Sequence, residues 1–434
     1  MHSHYNTLFV TLDIGKNVHW VGAYEGYELK AVGEPFKVRS DQAGFEQVTA
    51  VIDGLLNCGR YHQVVLGHEP TGIYHEAWSR ALAERYAPHC QGQAQPSLLY
   101  QFLNPLLSKR KRAELTKGRH RKTDKLDLKA IAYCLRDGLG QPAFLATEPV
   151  LRFQLWGKSY RHNHRERRRL TTNLLAQLDR LWPGAVVNLK RFHQMHPDLA
   201  APVPLVRSKP LERQRVQAIL QHCPNPHHFL ALGQAGIQAF YRTHIGRCGT
   251  ATAKLAYNLV KQALLPPPDV AALLAQQLQT DFAHFLALAH RFEELSNQAA
   301  ALVPSSPAAV LTTVPGISPL LAARYLAHLG HPQRFKHPQE IWAFAGFDVV
   351  IEESGDFRRL GHITRKGDPG LRDTLYLIGL HTAQNVPAIG RTKQRALKRG
   401  KRDVGATLHA AQKANRICHH LLYHQLPFDP DRLR

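Results

Sequence analysis

The sequence predicts an α/β domain at the N-terminal end followed by a mainly α-helical remainder. Three observations carry that prediction. Short apolar runs of strand character alternate with helix-period segments over roughly residues 1–145. Residues 270–303 repeat apolar positions at alternating spacings of four and three. The chain has 434 residues, well beyond the ~250–300 at which one hydrophobic core stops growing, so two or three domains are expected.

The first domain is built element by element. Residues 7–14 read as a buried strand that ends at Asp13, and 19–26 and 28–38 as further strands, bounded by Gly or Pro, in an antiparallel meander. Residues 41–57 open with Asp41 as N-cap and carry Phe45, Val48, Val51, Ile52, Leu55 and Leu56 at helical spacing. A short apolar strand, 63–69, ends in Glu69. Residues 72–86 read as a helix and 97–103 as another strand. A basic stretch follows Asn104-Pro105, then a helix over 123–138. The order β-β-β-α-β-α-β-α is that of an α/β domain.

The remainder reads as helices. Residues 150–200 are helical and at first very basic, and 201–210 (APVPLVRSKP) look like a linker. Pro266, Pro267 and Pro268 set up the long helix, whose seam runs through Leu274, Leu278, Asp281, Phe285, Leu288, Phe292, Leu295, Ala299 and Leu302. With one polar interruption, Asp281, this is a coiled-coil pattern; it serves a contact between subunits, a hairpin within the chain, or an ordinary packed helix. VPSSP (303–307) marks a boundary. Beyond it, TTVPGISPLLAARYLAHLG (312–330) resembles a helix-hairpin-helix, with a Pro315-Gly316 turn and Ser318 as N-cap. The expected domains are 1–148, 149–304 and 305–434.

Composition narrows the function. The formal net charge is +23, which favours a polyanionic partner. No apolar run approaches the ~18 residues of a membrane span, and the first residues lack the pattern of a signal peptide. Six scattered cysteines without a CxxC pair argue against a zinc ribbon and for reduced thiols in the cytoplasm. His162-Asn163-His164 matches a nuclease label literally, but a lone match of that kind carries little.

Four carboxylates stand out by placement. Asp13 and Glu69 end strands, and Asp124 and Asp127 open a helix three residues apart, on one face. Hard oxygen ligands that converge are what divalent cations clamping a phosphodiester require. Each also has a structural role open to it. Asp124 suits a helix N-terminus with Thr123 as its cap, and Glu69 suits a turn.

The segments LDIGK (12–16), HEPTGIYHEAW (68–78) and RKTDKLDLKAIA (121–132) together resemble the RuvC-like DEDD domain of the IS-one-ten family of insertion-sequence transposases. That family includes Piv-type DNA invertases and bridge-RNA-guided recombinases. TTVPGISPLLAARYLAHLG (312–330), FAGF (344–347) and ESGDFRRLGHITRKGDPGLRDTLY (353–376) resemble the family's second, serine-bearing domain. The resemblance covers about 1–140 and 305–400. The stretch 347–351 departs from it in lacking a proline before the serine motif.

The resemblance implies an RNase H-like fold for the first domain. It implies a metal-binding tetrad of Asp13, Glu69, Asp124 and Asp127, with two Mg²⁺ ions, and Ser354 as a nucleophile forming a phosphoserine link. It further implies donor and target DNA as substrates, a structured guide RNA, a homo-oligomer (dimer or tetramer) with composite sites, and a place at the bacterial nucleoid. Basic runs supply candidate phosphate contacts. They are Lys109, Arg110, Lys111, Arg112, Arg121 and Lys122; then Arg165, Arg167, Arg168 and Arg169; then Arg358, Arg359, Arg365 and Lys366. The alternatives are an invertase with the same residues, a RuvC-like junction nuclease that needs the tetrad but not Ser354, and a non-enzymatic nucleic-acid-binding protein. The first 108 residues hold 7 Lys/Arg against 10 Asp/Glu, so the surplus charge lies elsewhere in the chain.

Overall fold

The computed structural model describes residues 6–70, 72–117, 123–143, 148–354 and 357–432, with the backbone alone for 332 and 349–362. The chain forms two compact units, Met1–Thr147 and Glu148–Arg434.

The first unit holds β1 (Thr7–Ile14), β2 (Val18–Glu25), β3 (Lys30–Ala31), β4 (Phe36–Arg39), α1 (Gln42–Asn57), β5 (Gln63–His68), α2 (His75–Arg85), α3 (Ala87–Cys90), β6 (Ser97–Phe102), α4 (Pro105–Leu115), α5 (Asp124–Arg136) and β7 (Gln141–Pro142). Among the described residues these strands make one mixed sheet, ordered β3-β2-β1-β5-β6-β7, with β4 also on β2. The expected meander is present in part: β1 and β2 are antiparallel, but residues 28–38 form two short strands, β3 and β4, each antiparallel to β2, rather than one; β5 runs parallel to β1 and β6 parallel to β5. Strand alternation splits the core in two. Leu8, Val10, Leu12, Val64 and Leu66 pack on the side of α1 and α2, with Val48, Ile52 and Leu82. Phe9 and Val65 pack on the other side with Leu128, Ile131 and Leu135 of α5. Asp41 caps α1 as expected, accepting from Gly44 N–H at 2.9 Å.

The second unit contains α6 (Glu148–Leu181), α7 (Leu189–Met195), α8 (Gln214–His222), α9 (Pro226–Ala231), α10 (Gly233–Ile245), α11 (Thr250–Gln262), α12 (Pro268–Leu302), α13 (Pro319–Leu329), α14 (Pro338–Phe344), the hairpin β8 (Val349–Ser354) and β9 (Phe357–Ile363), then α15 (Pro369–Asn385), α16 (Pro387–Lys398) and α17 (Asp403–His424). The long heptad helix finds its partner inside the chain. Trp156 Nε1 donates to Leu295 O at 2.9 Å, Asn163 Nδ2 to Leu288 O at 3.2 Å, and Gln177 Nε2 to Asp281 Oδ2 at 2.7 Å. As α6 advances α12 recedes, so the two pack antiparallel. Asn163 of the nuclease-like triplet is thus a buried helix-packing residue. Asp281 is not a gap in the seam, because Gln177 of α6 meets it.

Two expectations are corrected here. Residues 201–210 are not a free linker: Leu205 joins the core with Leu211, and Val206 bridges Val186. In the hairpin-like segment the element before Gly316 is a 3-10 run, Pro307–Thr313, rather than an α-helix. The Ser318 cap is as expected, accepting from Leu321 N–H at 3.3 Å.

Three single substitutions and one double variant test the packing. A Cβ on Gly379 of α15 would stand 2.6 Å from the backbone and Cβ of Ala411 on α17. Gly379→Ala is expected to lower stability by about 1–3 kcal/mol in urea denaturation. Gly54→Ala, on exposed α1 with nothing within 4 Å, is expected to be neutral or slightly stabilising. Asp281→Leu leaves the half-buried Gln177 amide without its acceptor and is expected to cost about 1–3 kcal/mol, while adding Gln177→Leu restores most of the loss. A double variant no more stable than the single one would contradict the pairing.

Candidate active site: carboxylates under a basic helix

The strand register locates the first two carboxylates. Leu12 of β1 lies opposite His68 of β5, so Asp13 and Glu69 follow side by side at the same end of two parallel strands. Alternation turns Leu12 and Leu66 toward α1 and α2, which sends Asp13 and Glu69 to the opposite face, the one α5 covers. Both are half-buried. His68 secures the strand end from the other side. Its Nδ1 donates to Glu69 O at 3.0 Å, so its Nε2 is the acceptor for the hydroxyls of Tyr100 at 2.8 Å and Ser79 at 3.1 Å. Burial pushes the His68 imidazole down to about 4, which keeps it neutral at pH 7.

Small residues bring α5 close to the sheet. A Cβ on Gly67 of β5 would meet Leu135 at 2.7 Å, and one on Gly22 of β2 would meet Leu128 at 3.3 Å. Thr123 caps α5 as expected, accepting from Leu126 N–H at 3.3 Å. Asp124 stands exposed in the first turn and Asp127 is buried. Both also suit the positive end of the helix dipole.

The basic stretch after Asn104-Pro105 is a helix, α4, which the sequence reading did not assign. Asn104 caps it, accepting from Leu106 N–H at 3.0 Å, and Pro105 begins it. Ser108 Oγ on α4 donates to Glu69 Oε1, and Arg112 Nη1 pairs with Asp127 Oδ1. Ser108 and Arg112 are one helical turn apart, so α4 gathers Glu69 and Asp127 beneath a single face. The signal was in the sequence, as an Asn-Pro cap and an i, i+4 pair, but the lysines and arginines around it obscured it.

The donor set is all carboxylate, which suits a hard divalent cation. Among the described residues, however, no three His, Cys, Asp or Glu side chains stand close enough to hold a metal ion together. The Arg112 guanidinium is the resident cation at Asp127, on its Oδ1.

Ser354 is the last residue of β8 and pairs with Phe357 of β9; Gly355 and Asp356 lie outside the described residues, as do Arg121 and Lys122. The sequence reading did not assign this hairpin. Its base is anchored. Thr364 N–H donates to Asp348 O at 2.7 Å, Arg365 N–H to Gly346 O at 3.0 Å, and Arg372 Nη1 to Ala345 O at 2.9 Å. Arg358 and Arg359 are on β9, and Arg365 and Lys366 follow it, exposed. Lys109 and Arg110 are exposed on α4, whereas Lys111 pairs with Glu114 at 3.0 Å and Asp137 at 3.4 Å. Arg165, Arg168 and Arg169 are exposed on α6, and Arg167 is half-buried. Asp368, in the turn GDPG (367–370), is structural. It caps α15 through Gly370 N–H at 2.8 Å and Leu371 N–H at 3.0 Å, and meets His328 Nδ1 at 3.0 Å. Burial would raise its pKa, but His328 and the two amides outweigh that and hold it at about 2.

No helix among the described residues is long and apolar enough to cross a membrane. Among curated proteins no sequence matches the chain. Two family profiles do. Residues 10–183 match a DEDD-type transposase of IS110 elements, and residues 308–395 match the transposase IS116/IS110/IS902 family. Together they cover more than half of the chain, in the order the two motif sets require. The chain therefore belongs to the IS116/IS110/IS902 family of transposases and is an enzyme of DNA transposition and recombination.

Proposed function

We propose that this transposase cuts and rejoins DNA with the carboxylates Asp13, Glu69, Asp124 and Asp127 around divalent metal and with Ser354 as a covalent nucleophile. The observation that carries the reading is the sheet register, which sends Asp13 and Glu69 to the face covered by α5, the helix of Asp124 and Asp127. The order of the meander and the two parallel strands supports an RNase H-like first domain. Mg²⁺, as two ions, would supply Lewis-acid stabilisation of charge on the scissile phosphate. The chain's own residues supply the rest. Arg112 holds Asp127 until the carboxylate is needed, and Ser108 orients Glu69. Ser354 Oγ attacks phosphorus, its proton passes to a base, one P–O bond of the DNA breaks as the Ser–O–P bond forms, and the freed strand end leaves as a hydroxyl. Reversal of that step on a second strand rejoins the DNA with no nucleotide cofactor. Exposed bases on α4, α6 and after β9 grip phosphates without reading sequence, and a structured guide RNA selects the sites by base pairing. The protein acts as a dimer or tetramer, with the tetrad of one subunit serving the serine of another.

The test is purification of the full chain from cells that carry its flanking DNA. One discrete co-purifying RNA, together with Mg²⁺-dependent joining of donor to target that EDTA stops, is the expected result. Random RNA would remove the guide from this reading, and joining in EDTA would remove the metal.

A further inference from the structure

The second unit contains a cleft of about 680 Å³ whose lining comes from α6, α12, α13 with the turn before it, and α15. None of its residues belongs to the carboxylate site. The apolar part of the lining includes Phe292, Leu320 and Leu377. The charge of its lining is unbalanced: it holds Arg167, Arg168 and Arg324 and, among the described residues, one carboxylate, Asp373.

Arg324 is only 7% exposed. Its Nη2 reaches Asp373 at 2.5 Å, but among the described residues its Nε has no hydrogen-bond partner. Asp373 is 53% exposed, so water screens much of its charge. The Arg167 guanidinium lies 5.5 Å and 5.4 Å from the ring centres of Phe285 and Phe292. Among the described residues neither Arg167 nor Arg168 has a carboxylate partner. The N-terminal turn of α13 adds its positive end, with Ser318, Leu320 and Leu321 on the cleft.

The cleft also has a stacking surface. Trp156, Tyr160 and His164, spaced by one turn of α6, form a column, with Tyr160 and His164 nearly parallel at 12°. Tyr160 and His164 line the cleft. Burial first, and then the charge of Arg324, hold the His164 imidazole below its usual pKa. Its ring is therefore neutral at pH 7 and offers a π-face.

We propose that this cleft receives one unpaired nucleotide of the bound nucleic acid, the base against His164, Phe292 and Leu320 and the phosphate against Arg167 and Arg168. A free phosphate would leave the apolar part of the lining wet, and a paired base is shielded on both faces within its duplex. A single extruded nucleotide satisfies both parts of the lining, and the volume falls within the ~300–1,000 Å³ range of ligand pockets. The inference rests on the reading of the chain as a nucleic-acid enzyme.

The test is fluorescence anisotropy on the full chain, stripped of nucleic acid. The probes are a 20-base-pair duplex and the same duplex with a one-nucleotide bulge, each made as DNA and as RNA. The bulged form is expected to bind about tenfold more tightly in one of the two chemistries, and that chemistry identifies the source of the nucleotide. Leu320→Trp, which fills the cleft, is expected to abolish the preference while paired-duplex affinity changes less than about threefold. Equal affinity for bulged and paired probes in both chemistries, or a preference that survives Leu320→Trp, overturns the proposal. Paired-duplex binding reports on the nucleic-acid reading by itself. Its complete absence would overturn that premise and the proposal with it, whereas its presence without a bulge preference overturns only the proposal.

Discussion

Asp13→Asn is expected to reduce DNA strand cleavage on the order of a thousandfold, equivalent to about 4 kcal/mol of transition-state stabilisation. Asparagine keeps the volume and one acceptor oxygen of aspartate but removes the charge that a divalent cation requires. Asp13 sits half-buried at the end of β1, outside the apolar clusters on either face of the sheet. Stability should therefore change by less than about 1 kcal/mol, and the denaturation midpoint separates lost chemistry from lost fold. Asp127→Asn should behave differently. It also loses cleavage, but it strands Arg112, whose side chain is only 24% exposed beside an Asp127 side chain at 11%. An unpaired, largely buried guanidinium destabilises, here by roughly 2–3 kcal/mol. Adding Arg112→Met should recover most of that stability and none of the activity. Cleavage by Asp13→Asn within tenfold of the parent chain would sink the tetrad.

The contrast between these two aspartates shows what the sequence can and cannot convey. Strand character is local, so the apolar run of 7–14 was enough to place Asp13 at the end of a strand. Caps are local too, and Asp41, Thr123 and Ser318 all act as their sequence contexts imply. Partnerships are not local. The heptad of α12 announced a seam without saying that α6 fills it, because Gln177 and Asp281 are 104 residues apart. Helix α4 was hidden for another reason. It buries little beyond Ser108, so it lacks the apolar stripe by which helices are read, and its basic residues suggested a surface for phosphate. Arg112 instead faces inward to a carboxylate. In the hairpin of Ser354, Val349, Val350 and Ile351 have strand character, but the pairing of β8 with β9 is not a local property of that run. Residues 201–210 misled because prolines suit a linker and a packed loop equally, and only the burial of Leu205 decides between them.

Ser354→Ala is expected to abolish both recombination and any covalent protein–DNA adduct, by more than about a thousandfold for joining. The reason is chemical. Removing the hydroxyl removes the atom that would bond to phosphorus, and alanine has no substitute. The effect should be all-or-none for the adduct, read as a DNA-dependent shift of the protein band on a denaturing gel. Ser354→Cys tests the same point from the other side: a thiol that retains even weak adduct formation identifies the position as the site of attachment. What makes the experiment decisive is its pairing with Asp13→Asn. If the carboxylates activate water, as in a structure-specific nuclease, Ser354→Ala still cuts DNA at the parent rate and only Asp13→Asn is silent. If the carboxylates serve the serine, both variants are silent, and mixing the two inactive proteins restores joining wherever one subunit's tetrad works on another subunit's serine. Restoration on mixing would place the composite site between subunits, while two inactive proteins that stay inactive together would confine the tetrad and Ser354 to one chain.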